Sequence, residues 1–153
     1  MVKISNKIWT QSVPLTDGSE QSLSDCVAQT LVVYFYPRAN TPGCTTESQD
    51  FSAEYAAFQA AGCQVLGVSQ DSLKKQQNFK HKFDMPFELV ADVDGVLCAA
   101  FEVIKEKKMY GKTFMGIERS TFVLDAQGTV VAEWRKVKVP GHVAEVLTAV
   151  KEM

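Results

Sequence analysis

The sequence has little charge imbalance. Its 153 residues carry 16 Lys and Arg against 18 Asp and Glu, a formal net charge of -2. That leaves no basic footprint for nucleic acid, and no cationic amphipathic segment favours membrane binding. No stretch approaches the roughly 18 consecutive apolar residues that a membrane-spanning helix needs. The opening "MVKISNKIWTQSVPL" has no apolar run of the secretory kind. The expectation is therefore a cytoplasmic protein, in a compartment that keeps thiols reduced. Cysteine is scarce too: Cys26, Cys44, Cys63 and Cys98. No CxxC pair and no Cys/His cluster at metal-ligand spacing occurs among them, which speaks against a zinc site, a disulfide framework or a thioredoxin-type redox pair. The two histidines, His81 and His142, have no partner cluster and are expected to be solvated.

What is present is an ordinary globular composition, 46% apolar and 22% charged. The length suits one compact domain over residues 1–153. No repeat, linker or low-complexity tract interrupts it. Strand and helix patterns alternate. "TLVVYFY" and "CQVLGVS" are continuously apolar and β-rich, as in strands buried on both faces. A short strand is expected over 19–23 and another in "FELVAD". Residues 41–61 read as a helix that ends at Gly62. "DSLKKQQNFKHKF" reads as a solvated helix with Asp71 as its cap, and 95–101 as a short helix. "RSTFVLD" and "TVVAEWR" flank "AQG" and predict a hairpin. In the final segment Val143, Val146, Leu147 and Val150 form one helical stripe. The expected fold class is α/β, a mixed sheet covered by helices. No conspicuous exposed apolar segment stands out, so a monomer or weak homodimer is expected.

One cysteine occupies an unusual place. Thr41 suits a helix N-cap and Pro42 the first helical position, so Cys44 falls in the first turn. There the backbone N–H groups are unpaired and the helix dipole favours negative charge. Cysteines at helix starts have lowered pKa values. A free thiol is about 3% ionised at neutral pH, and a fall in pKa to about 6 raises this to about 90%. Thr41 and the N–H groups of Gly43 and Cys44 are then candidate donors to a leaving oxygen. Helical spacing puts Cys44, Ser48, Phe51, Tyr55 and Phe58 on one face, which turns the thiol toward the core. Taken alone, such a cysteine reads equally well as a small buried hydrophobe.

"YFYPRANTPGCTTE" resembles the active-site motif of the peroxiredoxins, here as Pro37, Thr41 and Cys44. It is nearest in wording to the bacterioferritin comigratory protein, or PrxQ, subfamily. "KKMYGKTFMGIERSTFVLDAQGTV", with Arg119, and "LGVSQDS" and "DVDGVLCAAFEV" agree with it. The resemblance runs from about Leu15 to the C-terminus and implies a thioredoxin-like fold and a thiol-dependent peroxidase without cofactor or metal. It implies that Cys44 attacks a hydroperoxide and becomes a sulfenic acid. Arg119 would hold the thiolate and polarise the peroxide, Thr41 would bond the peroxide oxygen, and Pro37 would shield the pocket. Gly43 joins them as a substrate-binding residue. Arg119 stands beside a strand on the same face as Thr121, and its guanidinium offers several fixed donors.

Many members of that subfamily carry a second, resolving cysteine five residues on, where this chain has Gln49, or in the helix after the second strand, which here has none. The expectation is a one-cysteine cycle reduced by glutathione, a glutaredoxin or thioredoxin. Cys98 is the second choice as resolver, although core filling suits it better. Phe51, Phe114 and Met115 are candidates for the pocket rim. The rival from another class is a redox-sensing or chaperone-like protein on the same scaffold, switched by oxidation of Cys44.

Overall fold

The computed structural model describes residues 3–153. Short elements come first: helix α1 (Asn6–Trp9), strands β1 (Val13–Pro14) and β2 (Glu20–Gln21), and helix α2 (Leu23–Cys26). The expected strand over 19–23 is thus only two residues long. Ser22 caps α2 with Asp25 in a capping box, which turns Leu23 onward into helix. Cys26 accordingly sits in this helix, half-buried.

Strand β3 (Thr30–Phe35), helix α3 (Pro42–Ala60), strand β4 (Cys63–Ser69), helix α4 (Leu73–Lys82) and strand β5 (Leu89–Ala91) form the parallel half of the molecule. Helix α5 (Val96–Ala100) follows, then a hairpin of β6 (Ile104–Met109) and β7 (Lys112–Ile117). Strands β8 (Ser120–Asp125) and β9 (Val130–Trp134) and helix α6 (His142–Lys151) complete the chain. The central sheet has the order β5-β4-β3-β8-β9. The first three strands run parallel, and β8 and β9 add antiparallel. Strand β3 is central and covered on both sides, which explains its unbroken apolar run. Its Leu31, Val33 and Phe35 enter one core with Leu97, Cys98, Phe101 and Phe122. Its Val32 and Tyr34, with the following Tyr36, enter the other, with Phe51, Phe58, Phe79 and the Val143–Val150 stripe of α6. Gly67 on β4 allows this second core to close. A Cβ there would lie 2.7 Å from Leu89 and 2.8 Å from the Tyr34 ring.

Three local expectations change. The cap of α4 is Ser72, whose hydroxyl accepts from the Lys75 N–H, while Asp71 bonds elsewhere. His142 is buried and shares a 2.8 Å hydrogen bond with the Thr121 hydroxyl. The β6–β7 hairpin, absent from the pattern reading, carries an exposed apolar surface: Tyr110 is 96% exposed, with Met109, Phe114 and Met115 also exposed. Among the described residues no helix is long and apolar enough to cross a membrane.

Candidate active site

Strand β3 gives way at Pro37, which is exposed, to a loop that turns at Asn40 with φ 61°. Thr41 takes the extended N-cap conformation, and Pro42 opens α3. The Thr41 hydroxyl does not cap the helix; it donates to the Arg38 carbonyl at 2.8 Å. The first bond of the helical ladder runs from the Thr45 N–H to the Thr41 carbonyl, 2.8 Å. The N–H groups of Gly43 and Cys44 therefore lie ahead of the ladder, free to meet an anion.

Cys44 is 1% exposed. Its sulfur receives a hydrogen bond from Arg119 Nη2 at 3.3 Å, across 75 residues of sequence. Arg119 immediately precedes β8, beside the end of β3, because Ser120 pairs with Phe35. Gly43 lies against Arg119: a Cβ there would lie 3.2 Å from Arg119 Nη2, so a side chain would crowd the guanidinium. The other arm of Arg119 donates from Nη1 to Glu47 Oε1 at 2.8 Å. Glu47 is fully buried, and its Oε2 has no hydrogen-bond partner. Burial pushes its carboxyl up to about 7, against the pull of the guanidinium. Burial also opposes the charge on Arg119, but Glu47 and Cys44 outweigh it, and its proton is held more firmly than usual. The guanidinium thus stands fixed between a sulfur and a carboxyl group.

The helix face is built as its spacing required. Tyr34 stacks on Phe51 with ring centroids 4.5 Å apart, and its hydroxyl bonds Ser48 at 2.8 Å. Phe51 is fully buried here, so it is a floor residue and not part of a rim. Tyr55 is only half-buried and donates to Gln64. Phe114 pairs with Lys107 across the hairpin, and both side chains lie within 3.3 Å of where a Gly116 Cβ would stand. Burial, and then Arg119, hold the Lys107 amine below its usual range. Phe114 therefore shares a hairpin face with Lys107, and Met115, one residue on, takes the other face.

The remaining cysteines lie apart from this cluster. Cys98 is fully buried in the core on the opposite side of the sheet, so the structure does not bring it to Cys44. Burial drives its thiol far above the usual range. Cys63 begins β4, buried, with its pKa raised by burial. Glu47 was missed by sequence reasoning. Its signal was present: an acidic residue on the stripe Cys44, Glu47, Ser48, Phe51, where the helix faces the core. Among the described residues no group of three or more His, Cys, Asp or Glu is placed to hold a metal.

A thiol at a helix start, bonded to a half-buried guanidinium on a thioredoxin-like sheet, defines a class of thiol enzymes. Residues 4–133 match the AhpC/TSA family, and the chain belongs to that family. Within it, the chain sides with the bacterioferritin comigratory, or PrxQ, peroxiredoxins, which are thiol-dependent peroxidases. It is 53% identical over 137 residues to the peroxiredoxin Bcp of Xanthomonas campestris, covering 90% of this chain and 86% of that protein. It is 48% identical over 136 residues to the peroxiredoxin Bcp of Bacillus subtilis, covering 89% and 87%. The structure of Xanthomonas campestris peroxiredoxin Q superposes with a TM-score of 0.94 at 48% identity, over 99% of this chain and 96% of the other. A further structure, of the bacterioferritin comigratory protein of that species, concerns its alkyl peroxide reduction activity; it superposes with a TM-score of 0.93 at 47% identity, over 99% and 97%.

Proposed function

We propose that this chain reduces hydrogen peroxide and organic hydroperoxides through Cys44 in a one-cysteine cycle. The observation that carries the reading is the 3.3 Å contact between Arg119 Nη2 and the Cys44 sulfur at the start of α3. The thiolate attacks the terminal peroxide oxygen. An S–O bond forms, the O–O bond breaks, and the departing alkoxide or hydroxide takes a proton from water. The product is a sulfenic acid on Cys44 and an alcohol or water. Arg119 stabilises the sulfur anion and then the charge moving onto the leaving oxygen. The Gly43 and Cys44 N–H groups complete the donor set; the Thr41 hydroxyl, which donates to the Arg38 carbonyl, is left to accept from the peroxide O–H. Pro37 fixes the loop that presents them. The relative studied for alkyl peroxide reduction supports the organic substrates.

An external thiol closes the cycle: glutathione, a glutaredoxin or thioredoxin. Gln49 stands where many relatives have a resolving cysteine, and Cys98 lies beyond the sheet. The setting is a reducing cytoplasm, with the protein a monomer or weak homodimer. The test is hydroperoxide consumption with a thiol donor. Wild-type protein turns over many times per site and Cys44→Ser loses all turnover; full activity in that variant would overturn the reading.

A further inference from the structure

We propose that a groove between the loop before α3 and helix α4 binds the carboxylates of a small anionic thiol, the reductant of oxidised Cys44. This rests on the one-cysteine reading above. The groove encloses about 470 Å³, within the range of small-molecule sites and too small for a protein partner's face. One wall is Arg38 and Asn40, the residues that lead into Thr41 and Cys44. The other is the stripe Lys75, Asn78 and Lys82 of α4, spaced three and four apart on one helix face.

This charge enters no ion pair. Among the described residues the ion pairs are Lys80–Glu88, Arg119–Glu47 and Arg135–Glu133, so Arg38, Lys75 and Lys82 belong to none. Lys82 reaches over the loop to donate to Asn40 Oδ1 at 3.3 Å, which aims its ammonium at the groove. Asp71 is the one carboxylate in the lining, and its Oδ2 is engaged, accepting from the Ala39 N–H at 2.6 Å and the Ser69 hydroxyl at 2.7 Å. Asp71 thereby pins the loop to the groove. Three cations facing one committed carboxylate favour a ligand with two carboxylates, as in a γ-glutamyl tripeptide thiol.

The loop also supplies the means of delivery. Cys44 is 1% exposed, so a thiol reaches its oxidised sulfur only if the first turn of α3 opens. That turn has no side-chain cap, and Asn40 just ahead of it sits at φ 61°. Opening about Asn40 carries the sulfur toward the wall the groove shares. There the bound thiol attacks the sulfenic sulfur. An S–S bond forms, the S–O bond breaks, and hydroxide leaves with the thiol proton as water. A second molecule of the same thiol then attacks the mixed disulfide, freeing Cys44 as thiolate and giving the small disulfide.

The test measures reduction of peroxide-oxidised protein by glutathione and by neutral 2-mercaptoethanol, in wild type and in Lys75→Glu/Lys82→Glu. Oxidation of Cys44 is read first by intact mass; if peroxide adds no oxygen there, the proposed function itself fails at that step. The expected result is a glutathione rate constant about tenfold lower in the variant, with the 2-mercaptoethanol rate and the peroxide rate unchanged. Lys75→Gln/Lys82→Gln falls between. A glutathione rate equal in both proteins, or a parallel fall with the neutral thiol, overturns the groove while leaving the peroxidase reading intact.

Discussion

At the scale of single residues, Arg119 and Glu47 are the charged groups placed against Cys44. Arg119→Met keeps the bulk but removes both donated bonds, and the rate of Cys44 oxidation by hydrogen peroxide falls roughly 100-fold. Stopped-flow kinetics at one peroxide concentration would show it; an unchanged rate would detach the guanidinium from the chemistry. Glu47 gives a pH signature. Its carboxyl, ordinarily near 4.5, is raised to about 7 by burial. Between those values the folded chain keeps a proton that the unfolded chain has lost. Stability from this group is therefore greatest in acid and falls as pH rises from about 4.5 to about 7. His142, held below its usual range by burial, acts in the opposite sense and is common to wild type and variant. Glu47→Gln removes the falling component, and the difference between the two proteins in urea unfolding at several pH values isolates it.

Helix α3 and the β6–β7 hairpin are the elements that frame the site. The helix is anchored by Phe51, which is fully buried against Tyr34, Phe58 and the edge of His142. Phe51→Ala removes that anchor and costs about 3–5 kcal/mol in denaturant unfolding. The hairpin is a two-stranded unit with exposed side chains along most of its length. Two strands alone are marginally stable, so its amides outside the Ile104–Ile117 end exchange with solvent faster than those of β3. Phe114→Ala leaves global stability within about 0.5 kcal/mol but lowers the rate with a bulky alkyl hydroperoxide relative to hydrogen peroxide. Equal loss for both peroxides would remove Phe114 from the rim. Sequence patterning missed this hairpin because its first strand, "IKEKKM", is charged at every interior position and shows no apolar alternation.

Over the whole molecule, the two cores on opposite faces of the sheet keep Cys44 and Cys98 apart. Cys44 lies in one and Cys98 in the other. One equivalent of peroxide without added thiol is expected to give a mass gain of one oxygen that persists; a loss of two hydrogens would reveal a disulfide instead. By itself the sequence determined the central strands, the long helix and the Cys44 position at its start. These are local: β-branched runs, a proline at the first helical position and a period near 3.6 act over a few residues. It also carried the family motif, since Pro37, Thr41 and Cys44 are close neighbours. The resemblance named Arg119 as the residue that would hold the thiolate, but only the tertiary structure supplied its contact with the sulfur, Glu47 behind Arg119, His142 against Thr121 and Cys98 across the sheet. The physical reason is sequence distance. A guanidinium 75 residues from a thiol meets it only because antiparallel β8 returns beside parallel β3. No periodicity within either segment encodes that pairing.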